Sequence, residues 1–147
     1  MIDYWDKNVL TEDVKALISQ MEECALYMDS LELETKGEDS TKQLWCDDML
    51  EQFSARRSYD LEKYLPLLIR ETPDGIPGMG KDLKYVFDST DPEAVDVQKL
   101  RNDFFQTETE LYQERCLDVL HTWLKGNGMK LRAEPSYGKT FEVSQTV

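Results

Sequence analysis

Two short segments that read as strands, far apart in a chain otherwise periodic as helix, restrict what this sequence can fold into. Cys24-Ala25-Leu26-Tyr27-Met28 is a continuous apolar run that stops at Asp29. It is too short for a helix and suits a strand buried on both faces, as in a parallel sheet. Met129-Lys130-Leu131-Arg132-Ala133 reads as another strand, ending near Glu134-Pro135. Strands separated by helices imply parallel pairing with right-handed crossovers. The expected class is therefore α/β, helix-rich, with a few parallel strands.

The helices have their own signals. Thr11 is a candidate N-cap, with Glu12 and Asp13 in a first turn that favours negative charge. Val14, Leu17, Ile18 and Met21 then recur at helical spacing to about residue 23. Residues 33–43 are polar, contain Gly37 and read as a loop. Asp47 or Asp48 can cap a second helix with Met49, Leu50 and Phe53 inward. Leu61, Tyr64, Leu65, Leu67 and Leu68 form a short apolar stretch interrupted by Pro66. Residues 71–90 read as a loop insertion, rich in Gly and Pro as far as residue 82, with a short extended piece at 83–87. Asp91-Pro92 looks like a cap followed by proline at the first helical position. From there Leu100, Phe104, Leu111, Cys116, Leu120, Trp123 and Leu124 trace one apolar stripe, closed by Gly126 or Gly128.

Composition removes several functions. Hydrophobic residues make up 40% and charged residues 32%, a globular balance. Seventeen basic against 30 acidic residues give a net charge of −13, a field that repels nucleic-acid phosphates. No apolar run approaches the ~20 residues of a membrane span, and no signal peptide is readable at the N-terminus; the sequence leaves localisation open. The three cysteines, Cys24, Cys46 and Cys116, are widely spaced and read as buried free thiols. Gly75-x-x-x-x-Gly80-Lys81 mimics a phosphate loop but carries Asp82 where a Ser or Thr is required, and Pro77 removes a backbone donor. His121 is the one histidine, read as a packing or surface residue.

Strand ends are where function collects in folds of this class. A catalytic acid needs a carboxyl group held rigidly and partly desolvated. Asp29-Ser30-Leu31-Glu32 and Glu134 fall at the ends of the two expected strands, so carboxylates from both could converge.

The same residues resemble the α-L-rhamnosidases of glycoside hydrolase family 106. Asp29-Ser30-Leu31-Glu32 is similar to that family's Asp-Ser-Leu-Glu strand end, and residues 44–53 to its Trp-Thr-x-Asp helix block. Arg56-Arg57-Ser58-Tyr59-Asp60 with Tyr64-Leu65-Pro66 resembles its Arg-Arg-Gly-Tyr-Asp and Tyr-Leu-Pro signature. Asp103-Phe104-Phe105-Gln106-Thr107 with Glu110-Leu111-Tyr112 resembles its long-helix block. Leu131-Arg132-Ala133-Glu134-Pro135-Ser136-Tyr137-Gly138 resembles the strand end that follows. The blocks keep the family's order over about residues 11–147.

The resemblance implies a (β/α)8 barrel, inverting cleavage of terminal rhamnose, and calcium at the substrate. It makes Glu32 one of the inverting carboxylates and Asp29, Trp45, Glu134 and Tyr137 candidates for sugar contacts. The Arg56-Arg57 pair is a further candidate for shaping the pocket. A strand-end hydrogen bond, core aromatics and solvated helix charges are the structural alternatives for Asp29, for Trp45 and Tyr137, and for the arginines. Ser58 stands where the family usually has glycine, so that turn is expected to be strained or altered. Glu134 replaces a glutamine, exchanging a group that can donate for one that only accepts. A barrel of this kind takes ~250 residues, so residues 1–147 are expected to be one partial catalytic-barrel segment, incomplete at both ends. The expected function is that of a rhamnosidase fragment, inactive alone and prone to self-associate or to need a missing C-terminal part. A non-catalytic carbohydrate-binding or interaction module and a helical protein with no sugar site are the alternatives.

Overall fold

The computed structural model describes residues 1–29, 45–71, 84–91 and 93–133. It is helix-rich with two short parallel strands, a mixed α/β chain, and it divides into two compact units. The described residues of Met1–Leu31 and Tyr112–Pro135 form the first unit, and those of Glu32–Leu111 the second.

The first unit contains α1 (Ile2–Asn8), α2 (Glu12–Ile18), β1 (Ala25–Met28), α5 (Asp118–Gly126) and β4 (Lys130–Ala133). The strands pair in parallel with the register Ala25↔Lys130, Leu26↔Leu131, Tyr27↔Arg132 and Met28↔Ala133, as the order of elements predicts. The expectation of burial on both faces needs correction. Leu26, Met28 and Leu131 pack against Leu10, Ile18, Leu120, Leu124 and Met129, whereas Ala25, Tyr27, Lys130 and Arg132 are exposed. The core of this unit gathers on one face of the ladder, so side chains of period two alternate in and out. Helix α2 also stops earlier than its periodicity suggests. Gln20 and Met21 donate back three residues in tight turns, and Leu17 and Met21 are left exposed.

Helix α5 ends in a Schellman motif. Gly128 adopts φ +71°, the Met129 amide donates to the Leu124 carbonyl and the Gly128 amide to that of Lys125. The left-handed position favours glycine, and the reversed chain seats Met129 beside Leu124 in the core. The turn thereby launches β4 directly from the helix it packs against.

The second unit contains α3 (Met49–Arg57), a 3-10 helix (Glu62–Leu68), β2 (Arg70–Glu71), β3 (Lys84–Tyr85) and α4 (Val97–Tyr112). Its core is Met49, Phe53, Leu61, Leu68, Leu100, Phe104 and Leu111, the apolar set expected of these segments. Pro66 sits within the 3-10 helix. The expected extended piece at 83–87 is present as β3, antiparallel to β2; residues 72–83 of the expected loop insertion lie outside the described residues.

The cap of α4 is Asp96, not Asp91. Asp96 Oδ1 accepts from the Lys99 amide at 2.9 Å, and its carbonyl accepts from Leu100. Asp91 is committed to a separate turn, its carboxylate accepting from the Glu93 amide at 3.0 Å. Beyond Tyr112 the helix continues through a π-helical turn, Gln113–Leu117, into α5. The single stripe read along this helix is accordingly two sets. Leu100, Phe104 and Leu111 serve one core, and Leu120 and Leu124 the other.

Candidate functional site

Parallel pairing sets the C-terminal ends of β1 and β4 side by side, with Met28 opposite Ala133. Asp29 follows β1 directly and is exposed. Glu32, Glu134 and Tyr137 lie outside the described residues. What the described residues of the first unit supply is a strand end at Met28 and Asp29 beside the strand end at Ala133.

Trp45 belongs to the second unit. It is half exposed, and its ring stacks on Phe104 with centroids 6.4 Å apart and planes at 24°. One face is thus committed to the core while much of the indole stays in solvent. Among the sequence candidates, Trp45 and the Arg56-Arg57 pair share this unit.

The two arginines are not solvated helix charges. Their side chains are 22% and 12% exposed, and both reach Glu110 on α4, Arg56 at 3.2 Å and Arg57 at 2.7 Å. Arg57 Nε also donates to Thr107 Oγ1 at 3.0 Å. The same hydroxyl donates to the Asp103 carbonyl, which explains how Thr107 is tolerated fully buried inside α4. Arg56 donates in addition to Gln52, and Gln52 to Asp48. A polar seam therefore joins α3 to α4 beside the apolar core that Phe53 and Phe104 share.

A second polar group lies on the same pair of helices. Tyr59 donates to Asp103 Oδ2 at 2.9 Å, Lys99 forms an ion pair with Asp103, and its ammonium lies 5.0 Å from the Tyr59 ring centroid. Burial works against ionisation of Asp103, but hydrogen bonds from Lys99 and Tyr59, with the charges of Lys99 and Arg57, outweigh it and hold the carboxyl below its ordinary range. Burial, then the bond to Asp103, raises the Tyr59 phenol. Each group is matched to a partner, which makes this arrangement a helix clamp rather than a site poised for proton transfer.

Sequence reasoning missed Arg101. Its side chain is 12% exposed and it donates to the carbonyls of Leu67 and Phe87 at 3.2 and 2.9 Å. Its guanidinium stacks 3.5 Å from the Tyr85 ring centroid. One side chain on α4 thereby ties down both the 3-10 helix and the segment after β3. Arg101 also pairs with Asp88 at 3.6 Å, and nothing in a lone arginine at helical spacing signals these contacts, because every partner is remote in sequence.

In the first unit, Trp123 Nε1 donates to Asp6 at 3.0 Å and meets Trp5 edge to face at 6.0 Å, anchoring α1. Burial pushes the Tyr112 phenol up to about 12 and raises the Cys116 thiol. The three cysteines are half-buried thiols outside any disulfide, less enclosed than expected, and His121 is on the surface. Among the described residues no three His, Cys, Asp or Glu side chains gather to hold a metal ion, and no helix is long and apolar enough to cross a membrane. No protein-family model matches the chain, and neither a curated protein nor a solved structure is significantly similar to it.

Proposed function

We propose that this chain is part of an α-L-rhamnosidase-like glycoside hydrolase domain, with its sugar-facing side at the C-terminal ends of β1 and β4. The parallel, in-register pairing of those strands carries the reading, because it sets the end of β1, where Asp29 follows, beside the end of β4 at Ala133. The backbone at residue 58 adds support: Ser58 has φ +65°, a conformation that favours the glycine found there in the family it resembles. Inversion requires one carboxylic acid at the leaving oxygen and one carboxylate activating water, ~6.5–9.5 Å apart. Glu32 is assigned one of those roles. The family resemblance alone makes Asp29, Trp45, Glu134 and Tyr137 candidates for sugar contacts, and calcium is an implication of the same resemblance. A polypeptide of these 147 residues is shorter than the ~250 of a closed barrel. It is therefore expected to be inactive on its own.

Titration calorimetry with L-rhamnose in calcium-containing buffer tests the sugar site. Saturable binding that is lost in Glu32→Gln and Asp29→Asn, with circular dichroism unchanged, is the expected result. A flat trace from folded wild-type protein overturns it and leaves a helical protein without a sugar site. Measurable cleavage of an aryl α-L-rhamnoside, abolished by Glu32→Gln, overturns the expectation that the polypeptide is inactive alone.

A further inference from the structure

We draw no further inference here: the strongest candidate, the outward face of the β1–β4 ladder carrying Tyr27, Lys130 and Arg132, is an exposed sheet face, and nothing in the structure shows what covers it.

Discussion

Replacing Ser58 by glycine should stabilise the second unit. Helix α3 ends at Arg57, and Ser58 follows at φ 65°, ψ 25°, its amide donating to the Ser54 carbonyl. An L-residue held there carries a penalty of roughly 1–2 kcal/mol from the clash of its Cβ with the following carbonyl. Glycine removes that penalty but widens the unfolded ensemble, at a cost of about 0.5–1 kcal/mol. The Ser58 side chain is exposed, so little packing is lost. The balance is a gain of about 0.5–1 kcal/mol, equivalent to a rise in Tm of roughly 1–4 °C for a chain of this size. Ser58→Ala separates the cause from simple loss of the hydroxyl, because alanine keeps the Cβ and should be neutral or destabilising. Urea unfolding followed by circular dichroism, with hydrogen exchange of the α3 amides as a local readout, measures all three proteins. Equal stability of the glycine and alanine variants would refute the reasoning, since only the Cβ distinguishes them in this conformation.

Truncating Glu110→Ala leaves two mostly buried guanidinium groups without their shared acceptor; a loss of about 1–3 kcal/mol is expected, and in a double-mutant cycle Arg57→Ala should cost less in the Glu110→Ala background than in wild type. At high pH, Tyr59 and Tyr112 should both destabilise the fold. Their folded pKa values are raised, so the stability they contribute is fully present below the unfolded value of about 10. It falls as pH rises towards the folded values, and unfolding midpoints between pH 9 and 12 should decline less steeply in Tyr59→Phe and Tyr112→Phe.

The contrast between Arg57 and Arg101 shows where sequence reasoning reaches its limit. Arg57 was visible as part of a basic pair on a helix, but its burial was not, because Glu110 and Thr107 belong to α4. Arg101 gave no signal at all, since its hydrogen-bond acceptors are main-chain carbonyls and its ion-pair partner Asp88 lies outside α4. The same limit applies to the cap of α4: Asp91-Pro92 and Asp96 both satisfy the local rules, and the competing turn at Asp91 decided between them. Tyr27 illustrates it again. A run of apolar residues looks alike whether a strand is covered on one face or two.

The sequence by itself determined the alternation of helices with two strands, their parallel pairing, most apolar residues of both cores and a glycine stop for α5 at 126 or 128. These follow from periodicity, capping and turn chemistry, which act between near neighbours along the chain. Only the tertiary structure decided that the long helix serves two cores and that one face of the ladder is exposed. It also turned the charges of α3 and α4 into a half-buried clamp. Those outcomes depend on which elements meet in space, and the free energy of burying or pairing a group is set by its partners rather than by its place in the sequence.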